Sequence, residues 1–329
     1  MSSRNKSIQF GRLRRAPENF VSEKLAADIY EHGLDETRRG FLKKSFLTAL
    51  GAASAGSVLA ADGDPAILQK QPWQTSLGQP VAARPYGMPS QWEANLQRRE
   101  SPGLTRVSAA SVAFAPLQGF FGIITPNGLH FERHHQGWYD IDPAQHRLMI
   151  NGMVKEQKVF TMDDLMRLPS VSRIHFIECG ANTGLEWGNV AVPSVQYTHG
   201  MLSCCEFTGI PLSTLLDMCG ADLKKGRYIL AEGGDGSGMT RTIPMSLITS
   251  GEVLVAYGQN GEMLRPENGY PLRLIVPGIQ GVSWIKYLRR VEVGDKPYAT
   301  KDEAVHYMDL MPNGLHRQYT NIQDRKSVV

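Results

Sequence analysis

The chain has 329 residues, 42% hydrophobic and 20% charged, which excludes disorder and membrane-embedded classes and allows one large core or two moderate ones. Its formal charge of +3 comes from positions 1–60, which hold 10 Lys and Arg against 6 Asp and Glu; the remainder carries 25 basic and 26 acidic residues. A near-neutral body lacks the concentrated cationic face that nucleic acid requires.

In chain order, the first motif is Thr37-Arg38-Arg39-Gly40-Phe41-Leu42-Lys43, followed by a mildly apolar run, Phe46–Ala60. This fits a twin-arginine export signal over 1–60, cleaved before Ala61, which delivers a folded, cofactor-loaded protein to the periplasm. The run is too short to span a bilayer in the usual way, so no membrane anchor is expected after cleavage.

Residues 61–119 read as an extended arm, rich in Pro, Gln, Gly and Arg, with one short helix near Trp92–Arg99. From Phe120 the texture changes to short apolar runs separated by Gly and Pro, which predicts an α+β domain of short strands and helices over 120–300. Thr161 caps a helix, Met162–Leu168, stopped by Pro169. Ile174–Cys179 reads as a strand. Pro211–Cys219 reads as a helix whose Leu212, Leu215, Leu216 and Cys219 form one apolar stripe, so Cys219 belongs to the core. Arg227–Leu230 and Leu272–Val276 are further strands.

The four cysteines (Cys179, Cys204, Cys205, Cys219) show no CxxC or CxxCH spacing. That excludes a disulfide scaffold and an attached c-type haem, and argues against a zinc knuckle or iron–sulfur cluster. Cys204-Cys205 reads as core packing. His130 and His134 have helical ligand spacing, but Pro126-Asn127-Gly128 makes the region a loop and argues against zinc. Gly233–Gly238 lacks dinucleotide-binding spacing.

The informative segment is Glu178-Cys179-Gly180-Ala181-Asn182-Thr183-Gly184. A cysteine at a strand end, followed at once by small turn residues, leaves its sulfur at a loop facing a cleft. Such a thiolate serves a soft metal or acts as a nucleophile. Taken alone, a buried free thiol is the better reading of this cysteine.

The segment resembles the molybdenum-ligating Cys-Ala-Gly-Asn motif of the sulfite oxidase family, with Gly and Ala exchanged. Further resemblances follow in the family's order. Phe131-Glu132-Arg133-His134-His135 resembles the stretch that approaches molybdopterin and substrate, and Glu232-Gly233-Gly234-Asp235 the pterin-binding turn. Arg265–Arg273, with Asn268 in place of a pterin-contacting His, is similar to a further pterin-binding stretch. Val276-Pro277-Gly278-Ile279-Gln280-Gly281, then Trp284-Ile285-Lys286, resembles the family's Pro-Gly-x-x-Gly loop and phosphate-binding lysine. The resemblance implies a molybdenum–molybdopterin cofactor bound by Phe131, Arg133, His134, His135, Asp235, Asn268, Arg273, Trp284, Ile285 and Lys286, with Cys179 as the metal ligand. It also implies Arg133, Glu303 and Tyr307 as catalytic partners of Cys179, the family's Asp-Tyr pair appearing here as Asp302-Glu303 with Tyr307 downstream.

Sulfite-oxidising members carry two arginines after the asparagine, where this chain has Thr183-Gly184. That departure, with Trp187 and Tyr307–Pro312, resembles the family's sulfane dehydrogenase branch, which acts on sulfur held by a carrier protein of the Sox type. The resemblance implies a separate c-type cytochrome subunit as electron acceptor. It also implies a C-terminal immunoglobulin-like dimerisation domain, begun at 301–329 and truncated here, through which the chain forms a homodimer. A free-sulfite dehydrogenase, and a non-catalytic relative that binds the carrier or cytochrome, are the alternatives.

Overall fold

A computed structural model describes residues 86–102, 109–187, 194–300, 303 and 307–318. The expected signal segment and most of the expected arm lie outside the described residues. Contacts divide the chain into Met1–Gly87, of which only residues 86 and 87 are described, and Met88–Val329, to which every element below belongs.

The strands form three sheets and a hairpin. The first sheet is antiparallel, β1 (Arg99–Pro102), β2 (Ser111–Phe114) and β3 (Glu132–His134). The second runs in the order β5 (Lys158–Phe160), β4 (Leu148–Gly152), β13 (Leu288–Gly294), β8 (Tyr228–Gly233), β9 (Thr240–Pro244), and only its β4–β13 pair is parallel. The third runs β11 (Glu262–Met263), β10 (Leu254–Gln259), β7 (Leu202–Pro211), β6 (Val171–Glu178), with β12 (Arg273–Ile275) also paired to β10. The hairpin joins β14 (Met308–Leu310) to β15 (His316–Gln318). The α-helices are short: α1 (Met162–Met166), α2 (Val195–His199), α3 (Leu212–Met218) and α4 (Met245–Ile248). This is the expected α+β class, and no described helix is long and apolar enough to cross a membrane.

Local sequence explains the elements that position the site. On β7, Ser203, Cys205 and Phe207 are buried while Leu202, Cys204, Glu206 and Thr208 are half-buried, the period-two pattern of a strand with one face on the core. Thr161 caps α1 reciprocally: its hydroxyl accepts from the Asp164 amide at 3.1 Å and the Asp164 carboxylate accepts from the Thr161 amide at 2.9 Å. On α3 the predicted stripe of Leu212, Leu215 and Leu216 is buried, and Cys219, the C-cap, joins the same core.

Two expectations need correction. The stretch 61–119 does not stay an arm to its end, because β2 pairs with both β1 and β3 and buries Val112, Ala113 and Phe114. Its run of Ser, Ala, Val and Phe carries too little apolar bulk for the strand period to stand out. The helix expected near Trp92–Arg99 is a single 3-10 turn, Gln91–Glu93, and Arg99 begins β1.

One close approach ties the fold to the site. The loop after β12 lies against the end of β6: a Cβ on Gly281 would fall 2.9 Å from the Glu178 carbonyl oxygen and 2.9 Å from Ile177 Cγ1. A backbone carbonyl cannot swing away as a side-chain end can, so only glycine lets this loop close on the residue before Cys179. Gly281→Ala is expected to destabilise the fold by about 1–3 kcal/mol in denaturant unfolding. Gly278→Ala, where φ is +85° but nothing lies within 4 Å, should cost less, about 1–2 kcal/mol; equal losses would show that the approach at Gly281 imposes no constraint.

Candidate active site

The segments named in the sequence converge on one cleft of about 970 Å³, solvent at its mouth included. Its walls come from β3 and the residues flanking it, the end of β6 with Cys179, the turn after β8, the Pro266–Asn268 turn, β12, the Gly281–Lys286 stretch and Tyr307. Phe131, Arg133, His134, His135, Cys179, Asp235, Asn268, Arg273, Trp284, Ile285, Lys286 and Tyr307 all line it. These residues span 177 positions of the sequence, and the three sheets bring them together.

Glu303 is the exception. It is buried but absent from the cleft's lining, and its carboxylate accepts from the Thr242 amide (2.9 Å), the Thr242 hydroxyl (3.0 Å) and the Thr300 hydroxyl (2.9 Å). A carboxylate held by three donors on neighbouring chain segments is a latch between those segments, not a group presented to a substrate.

Cys179 follows the last residue of β6, and its amide donates to Met201 O at 3.0 Å. The turn closes when the Asn182 amide donates to Cys179 O at 2.9 Å. Asn182 then fixes the loop with both ends of its side chain, accepting from the Met201 amide (3.1 Å) and donating to Glu178 Oε1 (2.9 Å). Burial pushes the Cys179 thiol above its ordinary range, against the Ala181 amide and the Arg133 charge. Thr183 adopts φ +65°, a left-handed conformation uncommon for a β-branched residue, and its amide donates to Thr198 O at 2.9 Å.

Another stretch of the lining is cationic. Lys286 Nζ donates to Arg133 O (3.3 Å), Glu267 O (3.2 Å) and His134 Nδ1 (2.9 Å). Burial, with Arg273 nearby, lowers its pKa to about 7. Arg273 donates to Trp284 O (3.3 Å) and Asn268 O (3.0 Å), and burial lowers it to about 10. Trp284 backs this wall by packing edge-on against Phe207, centroids 5.7 Å apart, and donating Nε1–H to Ile279 O at 3.2 Å. Gly269, at φ +111°, lets the chain pass Lys286, where any Cβ would meet the lysine's Cα at 3.0 Å.

His130 and His134 are neutral. Burial, reinforced by neighbouring cations, lowers His130 and His134 to about 3. Because Lys286 donates to His134 Nδ1, that nitrogen carries the lone pair and Nε2–H donates to Glu132 at 2.8 Å. His130 donates through Nδ1 to Phe131 O at 2.6 Å, which leaves Nε2 an acceptor. Sequence reasoning weighed His130 only as a zinc ligand; its position directly before Phe131 was the available signal.

Three buried polar atoms of cleft residues have no partner among the described residues: His130 Nε2, Asp235 Oδ1 and Asn268 Nδ2. Buried polar atoms are rarely left so, and these are two acceptors and one donor. With Arg133, Arg273 and Lys286 they fit a polar ligand that has both donors and acceptors and an anionic end.

Residues 135–301 match the family model described as "Oxidoreductase molybdopterin binding domain", about half of the chain. The chain is 31% identical over 227 residues to the NADPH nitrate reductase of Phytophthora infestans, covering 65% of this chain and 24% of that protein. It is 32% identical over 196 residues to the mitochondrial sulfite oxidase of Drosophila melanogaster, covering 57% and 34%. The crystal structure of the sulfane dehydrogenase SoxCD from Paracoccus pantotrophus is similar at TM-score 0.73 and 42% identity, covering 78% of this chain and 66% of that one. The chain thus spans a quarter to a third of the length of these curated relatives.

Lys286 gives the cleft a pH signature. The folded protein releases this proton near pH 7 and the unfolded chain near 10.5, so between these limits the unfolded state binds more protons and stability rises with pH. Below pH 7 the cost of burying the charge is fully present. Lys286→Met, studied without cofactor, should flatten the rise between pH 7 and 10.5 by up to one proton's worth of slope in denaturant unfolding. An unchanged slope would contradict the lowered affinity of Lys286 for its proton in the folded protein.

Proposed function

The chain belongs to the sulfite oxidase family of molybdopterin-binding oxidoreductases, and we propose that it oxidises sulfane sulfur held on a carrier protein and passes the electrons to a c-type cytochrome. On this reading it is exported by the twin-arginine signal and works in the periplasm.

The residues of the cleft fit the cofactor. Cys179 would be the protein ligand to molybdenum. Arg273 and Lys286 would meet the phosphate of the pterin, where an anion removes the penalty of burying two cations together. Asp235 Oδ1 and His130 Nε2 would accept from ring N–H groups, and Asn268 Nδ2 would donate to a ring acceptor. When bound, the cofactor supplies oxygen-atom transfer with a two-electron sink.

The chain's own residues hold the reacting group. Arg133 lies on the same cleft as Cys179, so its guanidinium orients and stabilises the oxyanion that develops on sulfur. Tyr307, whose phenol is held up by burial and by the nearby Cys179, keeps its proton at neutral pH and can donate it in a hydrogen bond to that oxyanion. His134 stays neutral and accepts a hydrogen bond from Lys286, which holds the lysine in place. Each oxygen that sulfur gains from water releases two protons and two electrons, and the electrons leave through the cytochrome.

The observation that carries the sulfane reading is the pair Thr183-Gly184. Where sulfite-oxidising relatives are expected to hold a free dianion with arginines, this loop presents a hydroxyl and no side chain. The 42% identity to a solved sulfane dehydrogenase supports the same choice. The test is a substrate comparison on loaded enzyme with cytochrome c as acceptor. A persulfide-bearing carrier protein should be oxidised with a kcat/KM at least about tenfold above that for free sulfite, the loss expected when one charge-assisted bond is missing. Efficient oxidation of free sulfite at low KM, or reduction of nitrate by the reduced enzyme, would contradict it.

A further inference from the structure

One more guanidinium lies behind the cleft wall. Arg241, on β9, is 1% exposed and the largest of the fully buried side chains. Its Nη1 donates to Thr240 O at 2.6 Å, Nε and Nη2 make no well-formed hydrogen bond among the described residues, and the guanidinium lies within reach of the Tyr307 hydroxyl. A buried cation so sparsely partnered is costly, and such a group persists where something it faces uses the charge. It faces Tyr307: the guanidinium carbon is 4.8 Å from the centroid of the ring, within cation–π range. Tyr307 in turn lines the cleft with Cys179 and Arg133.

The segment that carries Tyr307 is fastened to the same strand. Thr242, the neighbour of Arg241, donates its amide and hydroxyl to Glu303, four residues before Tyr307, and the hydroxyl of Thr300 donates to Glu303. Adjacent residues of β9 therefore hold both the aromatic ring and the chain leading to it.

We propose that Arg241 is a positioning residue that fixes Tyr307 over the cleft and supplies, from behind the ring, the second positive charge of the substrate pocket, so that the cleft selects a sulfur group bearing negative charge. The inference rests on the proposed sulfur chemistry only for the identity of its substrate. In this arrangement the cation absent at Thr183-Gly184 is replaced from β9 without an arginine standing in the mouth. A guanidinium screened by an aromatic ring leaves room for a bulky, carrier-held group and still favours its oxidised, anionic forms.

The test uses the full chain with its cofactor, the variants Arg241→Lys and Arg241→Met, and sulfate as the probe anion. Sulfate affinity by calorimetry should fall in the order wild type, lysine, methionine, with methionine weaker than wild type by about tenfold or more. KM for the persulfide-bearing carrier should rise in the same order, while kcat changes by less than about threefold and molybdenum content is unchanged. Partial rescue by lysine separates charge from packing, since methionine fills much of the same volume. If Arg241→Met does not fold, Arg241→Lys alone decides: the proposal requires sulfate affinity at least about threefold below wild type, because the planar fork over the ring is lost. Equal sulfate affinity in wild type and variants, or no sulfate binding in wild type, overturns it. A wild type that binds sulfate through Arg241 but oxidises no carrier-held sulfur would sink the substrate reading and leave this inference standing.

Discussion

Two cations sit side by side in this fold, Arg273 buried and Lys286 half-buried, and neither is in an ion pair among the described residues. Arg273 and Lys286 form a β-bridge with each other, each lies within reach of the other's charge, and both donate mainly to backbone carbonyls. Carbonyl dipoles offset part of the desolvation cost but cannot neutralise two charges. A fold that leaves this imbalance in a cleft is complementary to an anion. The rest of the site follows from it: glycines at 269 and 281 that let backbone close on Lys286 and on the Cys179 strand, a neutral His134 that gives Lys286 an acceptor, and orphaned polar atoms at His130, Asp235 and Asn268. The third sheet carries both Arg273, on β12, and the strand that ends at Cys179, β6, while Lys286 lies just before β13 of the second sheet and bridges to Arg273.

Much of the site was legible in the sequence because it is written in short local signals. Cys179 ends an apolar strand and meets small residues at once, but alone it reads as a buried thiol, and Arg273 and Lys286 alone read equally well as solvated; it is the run of family-like motifs in order that marks all three. The core followed similarly, since α3 and β7 carry unambiguous periods of 3.6 and two. What was not legible depends on long-range partners. The carboxylate of Glu303 looks like any acidic side chain until the fold brings Thr242 and Thr300 to it. Arg241 follows a Gly-rich turn in a polar strand, and only the ring of Tyr307, 66 positions later, marks it out. His130 Nε2 gains meaning only when Phe131 O takes the other ring nitrogen. β2 hid in a run of small residues that a strand period cannot mark.

The sulfur selectivity proposed for the chain is a question of where cations stand, not how many there are. Arg133 is in the cleft, Arg241 lies over the ring of Tyr307, and the loop after Cys179 carries none. Placing the second charge behind an aromatic wall keeps attraction for an anionic sulfur group while opening the approach to Cys179.

The claim beneath all of this is that the Cys179 cleft holds a molybdenum–pterin whose phosphate meets Arg273 and Lys286. The most direct measurement is the metal and pterin content of the protein purified after expression in a host that makes the cofactor, alongside Cys179→Ser. About one molybdenum and one pterin per chain, with molybdenum lost in the serine variant, is the predicted result; a well-folded wild type containing neither would contradict the account.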